Sequence, residues 1–154
     1  MDESSSRDRA DWGSRTVVMV SACLLGTRCN HKGEANTNEA VLALRATRRV
    51  VPVCPESAGG LPTPRAEARR HVDGTVRTVD GRDVTEWYER GAAHAVRLAE
   101  AVGATRAVLK ARSPSCGCHE IYDESFTRTL VPGEGVAAAA LRAAGLEVVS
   151  EEDL

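Results

Sequence analysis

Two kinds of apolar segment alternate along the chain. The first is short, continuous and largely β-branched: Val17-Val18-Met19-Val20, Val50-Val51-Pro52-Val53 and Ala107-Val108-Leu109, with Leu146-Glu147-Val148-Val149 as a last member. Runs without polar alternation predict strands buried on both faces of a parallel sheet. The second kind is spread at helical spacing. Ala40, Val41 and Leu44 follow the capping candidates Asn36, Thr37 and Asn38, and predict a first helix reaching about Arg48. Asp83 and Glu86 stand as a cap and its reciprocal partner, and Val84, Trp87, Gly91, Ala95, Leu98 and Val102 make one stripe up to Gly103, which predicts the longest helix. A Pro132-Gly133 turn opens an alanine-rich helix that ends at Gly145. Strands and helices in this order build βαβ units. The expected fold is α/β, a single small Rossmann-like domain whose mostly parallel sheet is flanked by helices.

Between these elements the pattern breaks. Val72-Asp73-Gly74-Thr75-Val76 reads as a small β-hairpin appendage with Asp-Gly in its turn. Residues 55 to 65 hold three prolines and two adjacent glycines, which predict a loop without a regular element. Thr27 to Ala35 and Ala111 to Thr129 are polar and read as loops. Residues 1–15 are charged and serine-rich, so they are expected to form a disordered leader before a domain over 16–154.

Composition narrows the chemistry. A chain of 154 residues is the size of one domain, and a net charge of -2 without a long basic run gives no electrostatic case for nucleic acid or a membrane surface as partner. A small neutral or weakly charged ligand fits better, and nothing in the sequence sets an oligomeric state. No apolar stretch approaches the ~20 residues of a membrane span, and the start lacks a signal-peptide core, so a cytoplasmic protein is expected. In that compartment thiols stay reduced. Five cysteines, an odd number, then point to metal or catalytic chemistry rather than a disulfide framework.

Three of the five recur at one topological position. Cys23 follows the first strand, Cys54 the second, and Cys116 lies shortly beyond the third. Ligands in open α/β sheets bind outside the carboxyl ends of the strands, so these three thiols are placed to converge. Zinc pairs with a two-to-four-residue gap are absent, as is a Cys-X-X-Cys redox motif. His71 in the hairpin and His94 on the long helix read as surface residues. Three thiolates suffice to hold a [4Fe-4S] cluster with one open iron, a Lewis acid suited to substrate binding. Glu56, Lys110, Arg112, Ser113 and Ser115 stand near the three cysteines in sequence; Glu56 is the leading acid/base candidate, because a carboxyl beside an apolar strand exit can have a raised pKa. The competing assignment makes them solvated charges and turn residues.

Five ordered motifs then resemble one family. They are Val20 to Gly26, Val51 to Glu56, Gly59 to Arg65, Gly81 to Thr85 and Leu109 to Gly117, with further likeness over Ile121 to Asp123 and Gly133 to Val136. Together they resemble the bacterial thiouracil desulfidase family from about residue 17 onward. The resemblance implies a single-domain enzyme that removes sulfur from a small thiolated pyrimidine of the 2- or 4-thiouracil type. It implies a [4Fe-4S] cluster held by Cys23, Cys54 and Cys116, a thione sulfur bound at the open iron, and water replacing it at the ring carbon. Glu56 and Ser113 correspond to the assisting residues, with Ser115 as the alternative. Cys29 and Cys118 are expected outside the ligand set. The chain departs from the family at Cys29-Asn30-His31-Lys32-Gly33, where His31 replaces an aromatic residue, and at Ala66, where a proline-rich continuation is usual. Two other function classes use the same cysteines: a cluster or sulfide carrier without its own turnover, and a metal-free redox sensor.

Overall fold

The computed structural model describes residues 16–154, so the expected leader over 1–15 lies outside the described residues. In chain order the first half contains β1 (Val17–Ser21), α1 (Glu39–Ala43), β2 (Arg49–Val53), α2 (Pro55–Ala58), β3 (Ala68–Arg70) and β4 (Val76–Thr78). The second half contains α3 (Thr85–Val102), β5 (Ala104–Leu109), β6 (Glu120–Tyr122), β7 (Leu130–Pro132), α4 (Val136–Ala143) and β8 (Glu147–Ser150).

The four apolar runs form one parallel sheet in the order β2-β1-β5-β8. Its interior strand β1 is buried at all five positions and sends successive side chains to opposite faces. Met19 joins Ala95, Ala107, Leu109, Leu141 and Val148 beneath α3 and α4. Val18 and Val20 join Val41, Leu24 and Val108 on the other face, under α1. Full burial of side chains such as Met19, Leu109 and Leu141 contributes about 1.5–3 kcal/mol each. The expected α/β domain with flanking helices is what the chain forms. No helix among the described residues is long and apolar enough to cross a membrane.

Several expectations are corrected. β2 is less buried than a two-faced strand because it lies at the sheet edge, where exposed Pro52 is tolerated. α1 starts where Asn38 Oδ1 accepts the Val41 N–H, but ends at Ala43 and continues only as a 3-10 turn, since Val41 alone of its residues is buried. On α3 the buried line runs through Tyr88, Gly91, Ala92, Ala95 and Ala99, so Trp87 and Leu98 flank it. Asp83 Oδ1 accepts both the N–H and O–H of Thr85, while Glu86 pairs with Arg90 instead of reaching back. The expected hairpin forms around Asp73-Gly74, with Gly74 at φ +88°, but its strands reach beyond the predicted span: β3 lies before it, β4 starts at its last residue Val76, and Val72 is 98% exposed. A second hairpin, β6 with β7, occupies part of the expected loop 111–129.

The correction that matters most for function is α2. Pro55 at the first helical position costs no hydrogen bond, and this single turn packs backbone to backbone on α3. A Cβ added at Gly91 would lie 1.9 Å from the Pro55 carbonyl oxygen, and one at Gly59 would lie 2.0 Å from that of Trp87. Glycine at both positions lets the turn that carries Cys54 and Glu56 seat directly on the longest helix.

Candidate active site

Each thiol reaches the site from its own strand exit. Cys23 sits in the 3-10 turn Ala22–Leu25, which stops at Gly26 with φ +102°. Cys54 precedes α2 as its N-cap, and Cys116 lies in the loop after β5. All three border one cavity of about 450 Å³, together with Cys29, Glu56, Arg65, Tyr88 and Ser113. Ser115 and Cys118 do not line it.

The thiols on the β1 and β2 side shift one another. Cys29 hydrogen-bonds to both Cys23 and Cys54, which pushes its own thiol well up. Its donation is the main reason that Cys54 falls to about 5, aided by the Ser57 hydroxyl 3.2 Å away and opposed by burial. Cys23 is lowered in the same way, by Cys29 first and by Asn36 after the opposing effect of burial. Cys116 is the opposite case: burial drives its thiol up, against a hydrogen bond from Ser21.

The loop that holds Cys116 is ordered from within. Ser113 Oγ accepts the N–H groups of Ser115 and Cys116, both at 3.1 Å, and the Ser113 carbonyl accepts from Gly117 at 2.8 Å. Ser113 therefore borders the cavity and shapes the turn that delivers the thiol. Ser115 stands behind it, fully buried, with its hydroxyl unpartnered and its carbonyl accepting from Ala137 and Ala138 at the start of α4. One residue, Pro114, separates these serines in sequence, and only Ser113 reaches the cavity.

Glu56 is enclosed beside a cation. Arg65 Nη2 lies 3.1 Å from Glu56 Oε2, with the side chains 6% and 12% exposed respectively. The same nitrogen donates to the Cys29 carbonyl at 2.9 Å, and Nη1 donates to Thr63 Oγ1 at 3.1 Å. Burial raises the Glu56 carboxyl above its ordinary range, against the pull of Arg65. Lys110 and Arg112 border the cavity but pair outward, Lys110 with Glu151 at 3.3 Å and Arg112 with Glu152 at 2.9 Å. His31 also lines the cavity, and burial lowers it. His94 is exposed as expected, whereas His71 is half-buried against Glu124 at 2.9 Å.

Sequence reasoning missed the contribution of Arg65 and the contacts of Cys29 with Cys23 and Cys54. Arg65 carried a signal, being the single charged residue between Glu56 and Glu67. The polar loop from Thr27 to Ala35 is expected at the rim of the site and brings Cys29 there, but the contacts of Cys29 with Cys23 and Cys54 carried no signal, because they depend on the path of that loop.

The likeness to known proteins covers the same elements. The family model for 2-thiouracil desulfurase matches residues 18–153. The chain is 37% identical over 147 residues to the uncharacterized protein YbbK of Bacillus subtilis (strain 168), across 90% of this chain and 97% of YbbK. A solved structure, that of the [4Fe-4S]-dependent thiouracil desulfidase TudS, superposes with a TM-score of 0.85 at 42% identity, covering 91% of this chain and 93% of that one. With the family pattern running through every strand of the sheet and every loop that lines the cavity, the chain belongs to the 2-thiouracil desulfurase family.

Proposed function

We propose that this protein is a [4Fe-4S]-dependent desulfidase that hydrolyses the C=S bond of a small thiolated pyrimidine of the 2- or 4-thiouracil type. The observation that carries the reading is the meeting of three strand-exit thiols, Cys23, Cys54 and Cys116, with the enclosed carboxyl of Glu56 in one cavity. The family and the likeness to TudS support it. The donor set fits the cluster: soft thiols border a single cavity, and a bound cation would offset the burial that keeps the Cys116 thiol protonated. Bound there by Cys23, Cys54 and Cys116, the cluster supplies an open, thiophilic Lewis-acid iron. Cys29, which hydrogen-bonds with Cys23 and Cys54, and Cys118, outside the cavity, are left out of this ligand set.

The remaining chemistry belongs to the protein. Converting a thiocarbonyl and water into a carbonyl and hydrogen sulfide requires both protons of the water to leave its oxygen and to end on the departing sulfur. Glu56 is placed to carry them, since burial brings its carboxyl closer to neutrality, where it can both accept and release a proton. Arg65 fixes the carboxyl against the cavity wall. Ser113 Oγ already accepts two backbone N–H groups, which leaves its O–H to donate toward the pyrimidine. Ser115 is buried behind the loop and takes no part in contact with substrate.

The test is anaerobic reconstitution with iron and sulfide, followed by incubation with 4-thiouracil. Brown protein that bleaches the near-ultraviolet thione band and releases one sulfide per base is the expected outcome. Cluster-loaded protein that leaves the band intact, with 2-thiouracil equally untouched, would overturn the reading.

A further inference from the structure

Cys118 and His119 follow Cys116 closely in the chain, yet neither lines the cavity. The intervening Gly117 makes the turn tight: a Cβ there would lie 2.8 Å from the Ser113 carbonyl oxygen and 2.9 Å from Ile121 Cγ2. The two residues instead meet Asp153, which comes from the 3-10 turn Glu151–Asp153 after β8. His119 Nε2 lies 2.7 Å from Asp153 Oδ2, and one ligand atom from each of Cys118, His119 and Asp153 lies within 4.8 Å of the other two.

This group has the features of a metal site. The Cys118 thiol is buried while His119 and Asp153 are exposed, so a cation can enter from solvent and reach a thiol at the base. Asp153 is held in place, because its Oδ2 accepts the Ser150 N–H at 2.8 Å within a capping box, and outer hydrogen bonds of that kind orient metal-binding carboxylates. Thiolate, imidazole and carboxylate form the mixed set that zinc accepts and that magnesium or calcium does not. One thiolate and one carboxylate also balance a divalent charge.

We infer that Cys118, His119 and Asp153 form a separate site for a single zinc-type divalent cation, with water in the fourth position. Binding displaces the thiol proton to solvent and breaks the hydrogen bond between His119 and Asp153, with no change of oxidation state. The ion would clasp the loop that carries Cys116 to the C-terminal turn. The inference does not depend on the desulfidase reading.

The experiment uses cluster-loaded protein dialysed against a chelator-buffered zinc solution. Wild type is expected to retain one zinc per chain, and X-ray absorption at the zinc edge is expected to show one sulfur neighbour at about 2.3 Å with nitrogen or oxygen neighbours at about 2.0 Å. His119→Ala and Cys118→Ser should each weaken zinc binding ~100-fold or more, and His119→Ala, a change at an exposed side chain, should keep its cluster content and desulfidation. No zinc in wild type, full retention in His119→Ala, or a zinc surrounded by three sulfurs would each overturn the inference, the last because the ion would then occupy the cavity thiols.

Discussion

At the exits of β1 and β2, Cys23, Cys29 and Cys54 share hydrogen bonds, and the arrangement drives Cys54 to about 5 while Cys29 keeps its proton. At the exit of β5, Cys116 has no thiol partner of that kind, and burial holds it protonated. The same cavity is thus lined by thiols prepared in opposite ways: one side is shifted toward the thiolate by its neighbours, the other toward the protonated thiol by burial. A site built like this disfavours ionisation of Cys116, since a further thiolate would add unpaired charge in a buried position.

The strongest test of the contrast is removal of each proposed ligand. Alanine at Cys23, Cys54 or Cys116 should abolish both bound iron and turnover, as read by iron content and thione absorbance. A full cluster in Cys116→Ala would break the comparison, leaving the buried thiol a mere core residue. Next in size is Glu56→Gln, which should keep the cluster and lose ~100- to 10,000-fold in turnover. Because burial raises the Glu56 carboxyl and a base must be ionised, the wild-type rate should fall as pH drops through a value above the ordinary carboxylate range. That acid limb should vanish in the glutamine variant, and its persistence would assign it to another group.

A smaller effect separates the Cys54 side from the Cys116 side through packing. Gly91→Ala forces a methyl group onto the Pro55 carbonyl and should destabilise the protein by about 1–3 kcal/mol, the usual cost of overpacking, as measured by thermal or denaturant unfolding. The displaced turn carries Cys54 and Glu56, so cluster retention should suffer with it. The subtlest change is Cys29→Ala. In cluster-free wild type, alkylation of Cys54 should persist toward pH 5, because the thiolate remains above its pKa. Without Cys29 the profile should move up toward that of an ordinary thiol, which mass spectrometry at each pH would show. An unchanged profile would remove Cys29 as the cause.

The parallel sheet was legible because its strands are continuous apolar runs, and the convergence of Cys23, Cys54 and Cys116 followed from where such strands end. What escaped has physical causes. α2 is composed of residues that read as a turn, and it is helical because Pro55 suits a first helical position and α3 offers a bare backbone at Gly91. The β6 and β7 strands are three residues each, too short to show a period. The face of α3 is set by what it packs on, which places Tyr88 inside and Trp87 at the margin. Ser113 and Ser115 occupy a loop without periodicity, so only the folded hydrogen bonds distinguish the one at the cavity from the one behind it.

The seating of α2 on α3 also governs how the site opens. An isolated four-residue helix has almost no persistence of its own. Here the Pro55 carbonyl lies against Gly91 and Gly59 lies against the Trp87 carbonyl, so the turn is seated on an 18-residue helix with no side chain between the two backbones. Local unfolding around Cys54 is thereby tied to the high-energy opening of the main helical layer, rather than to the easy fraying of a loop.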